Sequence, residues 1–332
     1  MRGNLLPALG VLLIGCAVDL APSAESPPPE APATELEGCD LLPDLDGVRG
    51  RTTPVTLPGD LDVLLAASPD FEGSTASSLF EVDGNCGASA TPFAARPALD
   101  VSAHGAGRGH PRSGVFTDAS YLYFSVDSES GKESGGAGIA RYDEASETFV
   151  SLGLLWTGDR PSYGAAAVVD GDYVYVYGGL PARFLAADVY VARVPLDLLA
   201  EPAAYEYFQG GGAWSTDPDL AGPLLEGGTM PSVWRAGAER YLMAYTTPLG
   251  QNITLRSGLA PAGPWSRPVT FGACALPFEQ AFCGEVSLLP GFAGDGELAL
   301  SQTIDSFEAP ESATARDFWT KLVRGPLPSE LP

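Results

Sequence analysis

The feature that most narrows what this chain can become is a repeated plan of strand, tight turn and strand. "SGVFTDASYLYFS" begins at Ser113, "AAAVVDGDYVYVYG" at Ala165, "PSVWRAGAERYLMAYT" at Pro231 and "VSLLPGFAGDGELALSQT" at Val286; a weaker copy, "PVTLPGDLDVLLAAS", begins at Pro54. Each sets an apolar run against a second run rich in aromatic and β-branched residues. Asp170-Gly171 and Asp295-Gly296 are strong hairpin signals, because glycine accepts the positive φ that such turns need. A third run ends in arginine: "GIAR" at Arg141, "VYVAR" at Arg193, "ITLR" at Arg256. Arg141 and Arg193 each lie 20 residues beyond Tyr121 and Tyr173, and Arg256 lies 15 beyond Tyr241. A fourth run follows in "TFVSLGLLW", "AYEYFQG" and "SRPVTFG". Four strands repeating at roughly 50–65 residues are the signature of radial sheets. The expected fold class is all-β, a five-bladed β-propeller of four-stranded antiparallel blades. A β-sandwich is the alternative, but unrelated strands in a sandwich have no reason to keep arginines at a matched offset.

Composition agrees. The 40 glycines and 30 prolines are spread along the 332 residues, which suits many short strands joined by turns. The best helical stretch is only Leu196–Ala200. The formal net charge is -24, and Lys132 and Lys321 are the only lysines. So acidic a chain repels phosphate backbones and anionic lipid surfaces, which sets nucleic-acid binding aside. The plain reading of the acidity is a solvated surface.

The first residues, "MRGNLLPALGVLLIGC", join one arginine to an apolar run too short to span a bilayer and end in Leu13-Ile14-Gly15-Cys16. This has the form of an export signal, and its ending resembles the lipobox of bacterial lipoproteins. The resemblance implies a signal peptide over residues 1–15 and lipidation of Cys16. "APSAESPPPEAPATELEG" then has too few large apolar residues to fold, and its prolines keep it extended. Residues 16–38 are expected to be a tether and 39–328 a single propeller domain, exported and lipid-anchored to the cell envelope. Ala17 after Cys16 favours the outer membrane where that sorting rule operates. The membrane is met through the lipid alone, and the domain is expected to be monomeric.

Four cysteines remain, Cys39, Cys86, Cys274 and Cys283. An even number outside the cytoplasm suggests two disulfides, with three possible pairings. Cys274–Cys283 and Cys39–Cys86 are favoured because each closes a local loop. There is no CxxC, and His104 and His110 lie elsewhere, so no metal site is expected.

"DGDYVYVYG", "VYVARVPLDLL", "AYEYFQGGGAW", "RYLMAYT" and "RSGLAPAGPWSRPV" occur in this order. Together they resemble a bacterial domain family of five-bladed propellers related to glycoside hydrolases, long labelled as of unknown function, some members being linked to cleavage of arabinan-type polysaccharides. More distantly they are similar to the arabinanase and xylosidase propellers, where a Ser-Pro-x-Gly-Pro-Trp corner is common. The likeness runs from about Arg108 to Val323. It implies a polysaccharide or envelope glycan as partner, bound or hydrolysed, with a non-catalytic glycan- or protein-binding propeller as the alternative. No cofactor is expected. Such propellers sometimes hold a calcium on the axis, but no ligand set here points to one.

Glycoside hydrolysis normally needs two carboxyl groups, ~5–5.5 Å apart for retention and ~6.5–9.5 Å for inversion. The innermost strand of each blade lines the funnel, so acids at the entrances of those strands are the candidates. Glu226 precedes "GGTMPSV", Glu285 precedes "VSLL", Asp70 follows "VLLAASP", and Asp100 precedes the second blade. Each competes with a plainer role as an exposed carboxylate or turn cap. Glu285 gains weight from the Cys274–Cys283 bridge beside it. Arg112, Arg160, Tyr163, Trp214 and His110 are candidate ligand contacts, since aromatic faces stack on sugar rings and arginine pairs with hydroxyls or carboxylates. Trp214 and Trp265 could equally pack between blades. Arg141, Arg193 and Arg256 read as braces away from the axis.

Overall fold

The computed structural model describes residues 37–40, 49–58, 61–67, 77–81, 91–92, 98–104, 109–127, 134–157, 161–179, 188–247, 249–293, 296–306 and 320–331. β1 (Glu37–Asp40) precedes a first sheet of β2 (Arg49–Leu57), β3 (Leu61–Ala67), β4 (Ser77–Glu81) and β5 (Thr91–Pro92). The second sheet holds β6 (Leu99–Asp100), β7 (Gly109–Phe116), β8 (Ser120–Asp127), β9 (Ser134–Asp143) and β10 (Thr148–Trp156). The third is β11 (Ser162–Asp170), β12 (Tyr173–Gly179), β13 (Val189–Pro195), β14 (Glu206–Gly210) and β15 (Ala213–Ser215). The fourth is β16 (Thr229–Gly237), β17 (Arg240–Thr246), β18 (Asn252–Gly258) and β19 (Val269–Ala273). The last is β20 (Ala281–Leu288), β21 (Glu297–Ser306) and β22 (Lys321–Pro326), with β1 as its outermost strand, antiparallel to β22.

The first strands pack in the order β2, β7, β11, β16, β20, and β20 returns to β2. Five sheets thus stand as blades round one axis. Two blades exceed the expected four strands. β6 runs parallel to the outer strand β10, and β15 adds to β14. Small hydroxyls stitch neighbouring first strands: Thr53 Oγ1 donates to Arg112 O (3.3 Å), Ser113 Oγ to Gly164 O (2.8 Å), and Thr52 Oγ1 to Ser301 Oγ (2.6 Å). Leu288 N–H donates to Ser232 Oγ at 2.9 Å.

Why the second strands read as they do follows from this layering. β17 (RYLMAYT) and β21 (ELALSQTIDS) are buried over nearly their whole length, because blades cover both of their faces. Alternation is the mark of a half-solvated strand, and these strands are not half-solvated. Between the second and third blades, Tyr123, Trp156, Tyr163, Tyr205 and Tyr207 form one aromatic cluster. Its polar tips are paired where they meet: Tyr123 Oη lies 3.0 Å from Tyr205 Oη, Tyr205 Oη donates to Leu199 O (2.7 Å), and Trp156 Nε1 donates to Tyr207 Oη (3.1 Å). Each such aromatic, fully buried, contributes about 1.5–3 kcal/mol.

The turn signals fare unevenly. Asp170 pairs with Tyr173 across a two-residue loop, and Gly171 has φ +57°. Between β20 and β21 the connection is longer, with a 3-10 turn at Pro290–Phe292. Leu196–Ala200 is not helical; Leu198 N–H donates to Pro195 O and Glu201 N–H to Leu198 O in successive turns. The corner at Arg256 to Val269 joins β18 to β19. Trp265 folds back over Gly258, where a Cβ would stand 3.1 Å from Trp265 Cε3, and Tyr177 Oη of the third blade donates to Pro261 O (2.8 Å). The corner therefore seals the joint between the third and fourth blades.

Candidate funnel site

Every first strand carries an irregularity near its entrance. The registers shift between Arg49 and Thr53, Pro111 and Ser113, Tyr163 and Ala166, Thr229 and Ser232, and Cys283 and Val286. A bulge re-aims a side chain and frees carbonyls from the ladder. Arg51, Arg112 and Glu285 are the residues within three of these irregularities. The other two supply backbone oxygens: Arg51 Nη2 donates to Ala165 O (2.6 Å) and Arg51 Nη1 to Met230 O (3.3 Å), with Pro231 O at 3.5 Å from Nη2. Arg51 also lies 3.5 Å from Glu285 Oε2. One guanidinium from the first blade thereby touches the third, fourth and fifth, and its side chain is 5% exposed.

Arg112, from the second blade, donates through Nη1 to both oxygens of Glu285, at 2.9 and 3.1 Å, and through Nε to Ser125 Oγ at 2.9 Å. Burial alone would raise the Glu285 pKa, but the charges and hydrogen bonds of Arg112 and Arg51 outweigh it and hold the carboxyl below its ordinary value. Burial, and then the neighbouring Arg112 charge, work to lower Arg51; the carboxylate of Glu285 opposes them, and the net shift is downward. Glu285 N–H donates to Thr303 Oγ1 (2.7 Å). Next to it stands Asp305 on β21: a Cβ placed on Gly284 would meet Asp305 Oδ2 at 2.5 Å. Asp305 is an exposed residue; partial desolvation of its carboxyl, followed by the charge of Glu285, raises its pKa. Two adjacent carboxyl groups are thus pushed in opposite directions. The Cys274–Cys283 disulfide is formed, Cα–Cα 6.1 Å, and ties the end of β19 to the strand that carries Glu285.

The other predicted residues are placed as follows. Glu226 is exposed in the segment before β16, where Leu225 bridges to Val189. His110 is half-buried on β7 opposite Ser125. Tyr163 does not face the funnel; it is 2% exposed and turned into the aromatic cluster. Trp214 is on β15, the outermost strand of its blade, stacked under Arg193 (4.3 Å) and against Phe208 and Tyr175. Asp100 lies on the outer edge of the second blade and accepts from Ser102 N–H (2.9 Å), so it is a cap and not a funnel acid. Asp70 and Arg160 lie outside the described residues, as do Cys16 and Cys86, and with Cys86 the Cys39–Cys86 pairing. Arg193 pairs with Glu206 (2.7 Å) and Arg256 donates to Tyr245 Oη (2.9 Å) and Ser266 O (2.6 Å), which are bracing contacts on third strands. Arg51 and Asp305 escaped the sequence reading. "GRTTPV" in the first blade and "HPRSGV" in the second both set an arginine just before the apolar run, and that match was the signal for Arg51.

An axial calcium does not fit these residues. Calcium takes six to eight oxygens, whereas here the axial carbonyls are engaged by a guanidinium and a second guanidinium stands beside it. Among the described residues no three His, Cys, Asp or Glu side chains gather as a metal site.

The model of DUF4185, a domain of unknown function, matches residues 119–303, more than half of the chain. The chain belongs to the DUF4185 family. No curated protein matches it. Among solved structures, this DUF4185 protein is similar to the GH43_1 enzyme from Xanthomonas citri complexed with xylotriose, at 15% identity over 86% of this chain and 88% of that one, TM-score 0.52. It is similar to the catalytic domain of the Coprinopsis cinerea GH62 alpha-L-arabinofuranosidase, at 11% identity over 89% and 98%, TM-score 0.52. It is also similar to an alpha-L-arabinofuranosidase from Lactobacillus brevis, at 12% identity over 84% and 93%, TM-score 0.52. These likenesses are of fold: the DUF4185 chain has a glycoside-hydrolase-like propeller.

Proposed function

We propose that this DUF4185 protein is a cell-envelope lipoprotein, anchored through Cys16 and held off the membrane by residues 17–36, since Glu37 and Gly38 of the expected tether belong to β1, and that its propeller binds a polysaccharide in the funnel above Arg51. The observation that carries the reading is the junction of Arg112 and Glu285. Both side chains are partly open, 20% and 28% exposed, where the first strands converge. A planar guanidinium edge beside an ionised carboxylate offers donors and acceptors to vicinal sugar hydroxyls. The three similar structures act on or hold pentose sugars by their names, which favours a pentose-containing glycan.

One observation favours hydrolysis as a second reading. Asp305, with a raised pKa, adjoins Glu285, with a lowered one, and divergent carboxyl groups are the usual marks of acid and base. The roles fall to Asp305 as proton donor and Glu285 as the charged partner. The test is incubation of the full-length protein with arabinan, xylan and envelope polysaccharide, reading both retention on the glycan and release of oligosaccharides. Retention without release supports binding alone. Release that disappears in Asp305→Asn and Glu285→Gln supports hydrolysis, and release that survives both removes this pair from the chemistry. Neither retention nor release overturns the glycan reading in favour of a protein partner.

A further inference from the structure

A groove of about 570 Å³ lies between the second and third blades, at the end of β7 away from Arg112, where Phe116 lines it. Register sets its second-blade wall. Tyr121 on β8 pairs with Arg141 on β9, and Arg141 pairs with Val150 on β10, so the three side chains share one face of the sheet. The opposite wall is formed by the turns after β13, with Leu196, Leu199 and Ala200. Leu199 is buried in the aromatic core, and Tyr121 and Leu196 pack on that core, so the groove has a fixed apolar floor.

Apolar side chains are left in the open here. Among the described residues seven large apolar side chains are exposed, and four of them gather at this groove. Phe116 and Leu152 line it, Val150 is opposite Arg141, and Leu198 lies between the lining residues Asp197 and Leu199. Leu152 is 47% exposed. Scattered apolar residues on a surface need no explanation, but a cluster rimmed by charge marks a contact site. The charge is one-sided. Asp118 and Asp197 line the groove against one cation, Arg141. Hydrogen bonds from Thr117 Oγ1 (2.9 Å) and Tyr121 Oη (3.4 Å) fix the Asp118 carboxylate. Asp143, Glu144 and Glu147 follow Arg141 in the turn between β9 and β10, and Glu201 follows Ala200; all four are exposed. Such a rim repels anionic lipid, and it repels a second copy of a chain with net charge -24. Leu152, Val169, Leu196 and Leu199 make the wall largely aliphatic, which suits apolar side chains better than sugar rings.

We infer that this groove docks a basic amphipathic peptide segment of a partner protein, its apolar residues between the blades and its cations on Asp118, Asp197 and the acidic turn. Laying an amphipathic helix into an apolar groove is a recurrent mode of recognition. The site lies at the far end of the first strands from Glu285 and stands whatever the funnel binds.

The test is fluorescence anisotropy of the full-length protein with a labelled Lys-Leu-Leu-Lys-Leu-Leu-Lys peptide. Two control peptides replace its leucines with serine or its lysines with glutamate. Only the first peptide binds. Leu152→Ser weakens it about tenfold, the worth of one buried leucine, and leaves melting unchanged because the position is exposed. Asp118→Asn with Asp197→Asn weakens it roughly 2–10-fold and flattens its salt dependence. Equal binding of the serine peptide, or wild-type affinity in Leu152→Ser, means attraction to acidic surface alone and overturns the groove. Equal binding of the glutamate peptide overturns the role of the acids. Absence of binding by the leucine peptide overturns the site. Loss of polysaccharide retention in Leu152→Ser overturns the peptide in favour of a glycan.

Discussion

Replacing Arg51 by methionine probes the centre of the fold. The shape of the side chain is largely kept and its charge removed. The 2.6 Å bond to Ala165 O is a hydrogen bond from a charged group, which contributes about 1.5–3 kcal/mol. Its loss strands the carbonyls of Ala165 and Met230 away from any ladder. Glu285 keeps Arg112 and loses its second cation, and removing one partner of a buried ion pair costs about 3–5 kcal/mol. Relief of Arg51's own burial offsets part of this. The net expectation is a loss of about 3 kcal/mol, and for a domain of this size a fall in Tm of about 6 °C. Thermal and urea melts of wild type, Arg51→Met, Glu285→Gln and the double variant provide the measurement. The two changes should couple by more than about 0.5 kcal/mol, since each removes what the other is paired with. A Tm within about a degree of wild type, or additive losses, would show that Arg51 does not tie the blades through Glu285.

Glu285 has a folded pKa below its ordinary 4.5, so the stability it supplies is present above that value and is lost as pH falls through the folded value. Stability curves of wild type and Glu285→Gln should therefore draw together as pH falls below the ordinary 4.5 and through the lowered folded value. Asp305 has the opposite sign: its charge opposes folding at neutral pH and ceases to do so in acid. Asp305→Asn should raise the neutral-pH Tm, with the gain vanishing as pH approaches the ordinary 3.8. Converting both Cys274 and Cys283 to serine opens a loop of sequence separation 9 and should cost about 2–3 kcal/mol in denaturant melts. Gly178→Ala drives a Cβ into Ser162 O and to 2.5 Å from Tyr163 Cα, backbone atoms that cannot swing aside, so poor soluble expression or a large Tm loss is expected.

The propeller could be read from the sequence because its repeats are local. The β11–β12 hairpin, the matched Arg141 and Arg193 and the Trp265 corner all declare themselves within a few dozen residues. Glu285 was also within reach, as an acid at a strand entrance. Its partners were not, because Arg51 and Arg112 are 234 and 173 positions away and meet it only when the ring closes. Asp305 was missed for another reason. It lies on a second strand, opposite Phe282, and only the pairing of β20 with β21 brings it within reach of the Glu285 charge. Tyr163 shows the reverse error. A tyrosine on a first strand was expected to face the axis, but the strand alternates between its two neighbouring blades, and Tyr163 falls on a blade-facing position.

The pairing of β1 with β22, Glu37 opposite Arg324 through Asp40 opposite Lys321, has a consequence for how the molecule is made. A ribosome delivers β1 first and β22 last, with the rest of the ring between them. No stretch of nascent chain that lacks β22 can complete this blade, so the joint waits for its most C-terminal strand. The slowest step should be this long-range meeting, in keeping with the cost of closing contacts between distant residues. The same arrangement makes the last blade the seam of the molecule. Strain on either end of the domain is borne there, by one short antiparallel ladder.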